Sequence, residues 1–528
     1  MLRRFLFGQP RLALALAAAV VGALLSCPVP VLDVASYQDI AAQLDWLRPY
    51  DWWRPWPPWG ASREADAFVY AHPPGFLLWV KAWAALGGPV PALKVAAGLP
   101  WALLLGWSVG RLAERTTRQR WLALAAWLAT PITVLGLQRG LMPDLMVAAL
   151  STYAVVAWIE ADRADASQRD RWLRGSGLTL ALACVTKYPA LLLLPVLLLH
   201  ARVRRRLRGL LPFWLAFAVP FILVEGWLWV GYGRPHLWEV LSRADEIPRG
   251  PLGGRGLGVA TRLGLGVAML PLMLAPLRRL LLPSTVLAGG LVLWGAPGGT
   301  DTSGLVVLAV TAVPGVGAAL VVGREWFAPS APRADVEPGD GLLLGGWALV
   351  VLLGVVVGHN FAAPRYLLPA MAPLAMVLVR VVDRRPLARR LLWFGAALQG
   401  LLALAVTTAE HHFFMAGDAV ARQAEDAVDS PGLYTGEWSF RHRMDLQGWR
   451  LLSSHAPRSG DVVAGVREAA PAELPADWIE LGRLRAGRLP LRVVDSAHGV
   501  GLYGETIGAM PLGWRNGPLE EAILWRVP

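Results

Sequence analysis

Apolar stretches of about 17 to 20 residues recur from residue 12 to residue 409, and short runs of arginine separate them. A helix of ~20 apolar residues matches a hydrocarbon layer ~30 Å thick. In that layer a spanning segment must satisfy its own backbone N–H and C=O groups, which restricts it to helices or a closed barrel. Composition excludes a soluble enzyme: 55% of the 528 residues are hydrophobic and 17% are charged, against about 25% charged in ordinary soluble domains. The chain reads as an all-α polytopic membrane protein.

A formal charge of +12 would point to a nucleic-acid partner in a soluble chain. Here the placement argues against one. Lys81, Lys94 and Lys187 are the lysines, and the arginines gather between apolar stretches as loops on the positive, cytoplasmic side do. Cys27 and Cys184 lie in or beside apolar stretches, too far apart in sequence to suggest a metal knuckle or a disulfide framework.

The arginine runs allow the crossings to be counted. They are Arg111, Arg115, Arg118 and Arg120; Arg163, Arg169, Arg171 and Arg174; Arg202, Arg204, Arg205, Arg206 and Arg208; Arg278 and Arg279; Arg324 and Arg333; and Arg380, Arg384, Arg385, Arg389 and Arg390. If each lies inside, the stretches between them come in pairs. They do, at about 92–110 and 121–138, 142–159 and 173–186, 189–201 and 209–230, 258–277 and 280–296, 303–322 and 341–358, 366–382 and 391–409. The N-terminus has the layout of a signal peptide with a poor lipobox at Leu25-Ser26-Cys27. It is read instead as an uncleaved first span with Arg3, Arg4 and Arg11 inside, which gives about 13 transmembrane helices. The stretches 173–186 and 189–201 are short and meet at Lys187-Tyr188-Pro189, so they are expected to form a hairpin whose tip sets Lys187 in a protein-lined cavity below the outer surface.

Residues 1–409 then form the transmembrane unit and 28–91 its first outer loop. Tyr37, Ile40, Ala41, Leu44 and Leu47 recur at helical spacing, as in a helix lying in the interface, and a second short helix is expected from Pro73-Pro74 to about Leu86. Trp46, Trp52, Trp53, Trp56 and Trp59 between them suit either an interfacial aromatic belt or stacking on sugar faces. Gly253-Gly254-Arg255-Gly256 reads as a flexible outer loop, since no strand precedes it. After residue 409 apolar positions alternate, and 410–528 are expected to form a small α/β domain outside.

This topology gathers ionisable groups on the outer side: Asp33, His72, Arg139, Asp144, Lys187, and Arg365 with Tyr366. Charges distant in sequence that reach one cavity imply a site. Each residue also has a simpler account. Asp33 can cap a helix, Asp144 can offset a helix dipole, His72 can be a solvated loop residue, and Arg139 and Arg365 can snorkel to head groups. Lys187 between two apolar half-length helices is costly unless it meets an anion.

The order V-L-D-V-A-S-Y at 31–37, H-P-P-G-F at 72–76, Q-R-G-L-M-P-D-L at 138–145, T-K-Y-P at 186–189 and P-R-Y-L-L-P-A at 364–370 resembles the GT-C membrane glycosyltransferases, with the protein O-mannosyltransferases and the lipid A aminoarabinose transferase as the relatives it looks most like. The resemblance runs over residues 1 to about 400. It implies inverting transfer of a sugar from a polyprenyl-phosphate carrier to a lipid, glycan or protein acceptor on the outer face. It also implies a catalytic role for Asp33, as general base or its orienter, and for Asp144. Two departures stand out: Val34 follows Asp33 where relatives often carry glutamate, and His72 stands where a lysine is common before the paired prolines. A divalent metal stays open.

The chemistry suits these residue types. Inverting transfer needs a base for the attacking hydroxyl and cations on the leaving phosphate, roles open to Asp33 and to Lys187, Arg365, His72 and Arg139, with Tyr37 and Tyr366 beside them. The competing reading is a multi-span transporter or flippase for a lipid-linked or anionic substrate. No internal repeat is evident, and an outer segment with helices of its own favours a surface enzyme. The expected location is the inner (plasma) membrane, with the N-terminus cytoplasmic and 410–528 outside. A cysteine introduced as Ala470→Cys should therefore be labelled by an impermeant reagent in intact cells; labelling only after the inner membrane is opened overturns the crossing count.

Overall fold

The computed structural model describes residues 9–29, 45–50, 72–87, 90–242, 250–267, 278–298, 300, 302–327, 339–359, 361–383, 385–469, 474–504 and 507–528. Each of the thirteen apolar stretches carries a helix. In chain order these are α1 (Pro10–Leu24), then α2 (Pro74–Ala84) of the outer loop, α3 (Val90–Thr116), α4 (Arg120–Leu128), α5 (Pro131–Gln138), α6 (Pro143–Arg163), α7 (Ala166–Cys184), a 3₁₀ turn (Tyr188–Leu192) leading into α8 (Leu193–Val203), α9 (Leu211–Tyr232), the short α10 (His236–Ser242), α11 (Leu252–Gly266), α12 (Arg278–Gly295), α13 (Thr302–Phe327), α14 (Gly339–Gly358), α15 (Pro364–Val382) and α16 (Pro386–Asp426). Among the described residues seven helices are long and apolar enough to cross a membrane, eight if α4 and α5, bent by 67° at their break, count as one. The chain is a multi-pass membrane protein. The helix α2 stands where the paired prolines predict it, whereas the interfacial helix expected around 37–47 falls largely, and Asp33, Tyr37 and four of the five tryptophans wholly, outside the described residues.

Four of the six arginine runs meet at one end of the bundle. Arg111 and Arg115 of α3 both hold Glu160 at the end of α6, at 2.6 Å each. Arg163 pairs with Asp340 at the start of α14 (2.8 Å), Arg204 after α8 with Asp162 (2.8 Å), and Arg380 of α15 with Glu325 of α13 (3.1 Å). Since α6 ends here and α14 begins here, the two run in opposite directions, and α6, at 21 residues, reaches the other end about 30 Å away. That other end carries Asp144, Lys187, Arg365 and the C-terminal unit.

The C-terminal unit grows out of α16, which runs without a break through residue 410. A five-stranded sheet follows its end, made of β1 (Leu433–Thr435), β2 (Arg450–Leu451), β3 (Val462–Val466), β4 (Ile479–Arg488) and β5 (Pro518–Arg526) in the order β2-β1-β3-β5-β4, with α17 (Trp438–Leu446) after β1 and two short two-stranded pairs beside it. The pairs of β1 are parallel and those of β5 antiparallel. Val463, Leu519 and Leu524 of these strands are buried. Phe414, Trp438 and Tyr503 pack edge-on or tilted at the junction with the helices, with ring centroids 5.5 to 5.9 Å apart.

The glycine-rich segment 253–256 is a correction. It opens α11 as helix and is largely buried, because Arg255 donates to the Val357 and His359 carbonyls (3.1 and 2.9 Å), and Arg262 two turns further donates to the carbonyls of Gly501, Leu502 and Gly508 in the C-terminal unit. Small residues suit this helix because it is pressed against α13: a Cβ on Gly264 would lie 1.7 Å from the Thr311 carbonyl oxygen and one on Gly315 1.9 Å from that of Ala260. Close backbone approach through small residues is the usual means of holding helices together in lipid, where burial of apolar surface gives no drive. Gly264→Ala or Gly315→Ala should therefore lower stability by about 1–3 kcal/mol, read as a lower unfolding temperature in detergent, while Gly289→Ala, where a Cβ meets nothing within 4 Å, leaves it unchanged.

Candidate functional site

The sequence motifs share a local device. Pro74, Pro143 and Pro364 stand at the first positions of α2, α6 and α15, and Pro189 in the first turn of the 3₁₀ segment. Proline has no N–H to lose where helical N–H groups lack partners anyway, so each proline fixes a helix start. Beside each sits a candidate residue: His72, Asp144, Lys187 and Arg365. Four helical N-termini, each with a partial positive charge, thus come to one end of the bundle. The approach is close: Gly75 N donates to the Val185 carbonyl at 2.9 Å, and a Cβ on Gly75 would lie 2.7 Å from that oxygen.

At the centre the Lys187 ammonium donates to Asp144 Oδ1 at 2.7 Å, with both side chains about 7% exposed. Lys187 also stands 4.4 Å from the centroid of the Tyr366 ring, Arg365 lies over the same ring at 5.1 Å, and its Nη2 donates to the Tyr366 hydroxyl at 3.3 Å. Arg365 and His72 both lie within electrostatic range of the Asp144 carboxylate. On its other face Tyr366 stacks on His359, with centroids 4.0 Å apart. Burial, with the Lys187 ammonium adding to it, lowers the His359 imidazole to about 3, so this ring is neutral at physiological pH. Tyr188, next in sequence, turns away: its hydroxyl donates to Glu225 (2.5 Å) and meets His236 Nδ1 (2.7 Å), on which Tyr50 stacks while donating to the His72 carbonyl (2.9 Å). Tyr50 is thereby fixed beside His72.

Asp144, Lys187, His359 and Tyr366 line the polar part of a cavity with an empty volume of about 540 Å³. Its other wall is apolar and follows α6 through Val147 to Ser151 and α14 from Val355 to Trp347, a depth of about 10 Å at 1.5 Å per residue. Three buried polar atoms of lining residues, Asp144 Oδ2, Ser151 Oγ and Trp347 Nε1, have no hydrogen-bond partner among the described residues. The arrangement fits an amphiphile whose anionic head meets cations and whose chain enters apolar space. One oxygen of Asp144 is held by the Lys187 ammonium, and among the described residues no group of three or more His, Cys, Asp or Glu side chains could hold a metal ion.

The structure thus brings His72, Asp144, Lys187, Arg365 and Tyr366 together, while Asp33 and Tyr37 lie outside the described residues. Arg139 is elsewhere. It is buried in an ion pair with Glu410 of α16 and lies 5.4 Å from the centroid of the Tyr503 ring, and Gln138 joins it on the same carboxylate. The sequence gives a weak sign of this partner, since Glu410-His411-His412 interrupts an apolar helix. His359, Ser151 and Trp347 were not anticipated. His359 lies five residues before the Pro364 motif and could be suspected from it, but Ser151 and Trp347 sit in apolar helices and become visible only through the cavity.

No family model and no curated protein matches this chain. Among solved structures it is similar to ArnT from Cupriavidus metallidurans bound to undecaprenyl phosphate, at 14% identity over 87% of this chain and 92% of that one, with a TM-score of 0.41. It is also similar to the Archaeoglobus fulgidus oligosaccharyltransferase tethered to an acceptor peptide (13%, 84% and 63%, TM-score 0.43) and to the mycobacterial arabinofuranosyltransferase AftD (16%, 97% and 40%, TM-score 0.41).

A buried ion pair is costly to break from one side, because the remaining charge is left without a partner. Asp144→Asn or Lys187→Met alone should destabilise by about 3–5 kcal/mol, and the double variant by clearly less than the sum, as thermal unfolding of the purified protein will show. Additive losses mean that the two side chains are not coupled.

Proposed function

We propose that the chain is an inverting glycosyltransferase of the GT-C kind, which moves a sugar from a polyprenyl-phosphate carrier to a lipid, glycan or protein acceptor on the outer face of the plasma membrane. The observation that carries this reading is the cavity just described, with cations and helical N-termini at its head and about 10 Å of apolar wall behind them. A polyprenyl phosphate has that shape: one anionic group on a long apolar chain, which reaches the site through the membrane.

In the reaction the acceptor oxygen forms a bond to the anomeric carbon on the face opposite the phosphate. The carbon–oxygen bond to the phosphate breaks, and its electron pair leaves with the phosphate. Arg365, Lys187 and His72 meet the charge that builds up there. Lys187 is shared with Asp144, so the Asp144 carboxylate orients the ammonium and moderates its charge in the empty site. Asp33, a few residues beyond the first helix, takes the acceptor proton. The hydroxyl becomes acidic only as its new bond forms, so an ionised carboxylate within hydrogen-bond reach suffices.

One observation favours the transporter reading: the break between α4 and α5, since broken helices are common at transport sites. The two readings separate in proteoliposomes supplied with a polyprenyl-phosphate sugar and acceptor extracts, with products identified by mass spectrometry. Asp33→Asn should reduce transfer by ~10²- to 10⁴-fold at normal expression, since asparagine caps a helix as well as aspartate does. Lys187→Ala and Arg365→Ala should raise the donor concentration needed for half-maximal rate. Near-normal transfer by Asp33→Asn moves the base assignment to Asp144, unchanged donor use by both cation variants removes them from the phosphate, and lipid translocation without transfer establishes the transporter.

A further inference from the structure

A second basic pocket lies at the arginine-rich end of the bundle, between the end of α6, the start of α7 and the turn from α8 to α9. Its empty volume is about 260 Å³ and its charged or imidazole lining is Asp162, Arg169, His200 and Arg206. The carboxylate is already taken, by Arg204 at 2.8 Å and Arg206 at 2.6 Å. The Arg169 guanidinium makes no hydrogen bond or ion pair with any described residue. It lies over Gly209, where a Cβ would come within 2.8 Å of Nη2. His200 accepts from Trp158 Nε1 through Nδ1 at 3.1 Å, so its neutral ring carries its proton on Nε2 and adds a donor to the lining.

The turn that builds this pocket is strained. Arg206 N donates to Ala201 O (2.8 Å) and Arg205 N to Arg202 O (3.0 Å), the closing pattern of a helix that ends on a left-handed residue. That residue is Arg205, at φ 54°, where glycine is usual. Around it the surface is apolar and exposed, at Val203, Leu207 and Leu211, and α9 is the least covered of the long apolar helices, with 17% of its apolar window buried. Paired arginines alone would satisfy the topology rule; an unpaired guanidinium in a concavity that opens beside a lipid-facing helix asks for an anion on a chain.

We infer that this pocket binds the phosphate of an anionic phospholipid, whose acyl chains lie along α9. A free phosphate would share the head-group chemistry but not use the apolar rim. The test is native mass spectrometry of the full chain in detergent, with phosphatidylglycerol, phosphatidylethanolamine or inorganic phosphate added. Phosphatidylglycerol should bind about fivefold or more tightly than phosphatidylethanolamine, and Arg169→Gln should weaken it by about the same factor, as one cation at a membrane surface does. Gly209→Val, which keeps every charge but displaces the guanidinium, should weaken it too. Arg202→Gln, an exposed arginine outside the pocket, should leave it within about twofold, since a rim charge is screened. Equal binding of the two lipids, an equal loss in Arg202→Gln, retention by both pocket variants, or full displacement by inorganic phosphate would each overturn the assignment.

Discussion

A charge held among apolar helices needs an opposite charge or a set of hydrogen bonds, and the architecture of this protein follows from where such partners can be found. At one end the arginines of four segments close on Glu160, Asp162, Glu325 and Asp340. At the other, Lys187 closes on Asp144 and Arg139 on Glu410. Between the ends the helices offer side chains such as Val155, Leu197, Leu344 and Met376, which pack without polar demands. The two ends therefore act as fixed plates, and α6, α14 and α15 are the struts that join them.

The plates differ in kind. At the arginine end each acid meets one or two guanidiniums, and the ion pairs fasten loops. At the other end Lys187, Arg365 and His72 stand around the Asp144 carboxylate, and helical N-termini point to the same place.

The C-terminal unit takes part in this arrangement. Tyr503 donates to Glu410 at 2.9 Å, on the carboxylate that Arg139 and Gln138 also reach. Lys94, fully buried, donates to the Cys27 carbonyl at 2.7 Å, close to where the first outer segment leaves the helices. Arg262 is held by three carbonyls of the 501–508 loop. The unit is thus keyed to the transmembrane helices by buried polar contacts, which are directional and do not permit sliding as an apolar interface would.

Much of this was legible in the sequence, for reasons that are local. Hydrocarbon thickness sets the length of an apolar stretch, and a proline fixes a helix start wherever it stands, so the helices and the positions of His72, Asp144, Lys187 and Arg365 at helical ends follow from the residues alone. The excess of arginine over acid in the loops likewise told which ends belong together. Tertiary structure alone decided the pairings. Arg139 and Asp144 lie five residues apart in one motif, yet one faces Glu410 across the bundle and the other Lys187, because a turn and a helix start between them point the two side chains apart. The segment 253–256 looks like a loop by composition and is helix in the structure, where α12 packs on it at Leu291, Trp294 and Gly295 and Arg255 reaches the Val357 and His359 carbonyls. Ser151, Trp347 and His359 acquire their place at the cavity only when α6, α14 and α15 pack, since a cavity is a property of the space between helices and no single stretch of sequence encodes it.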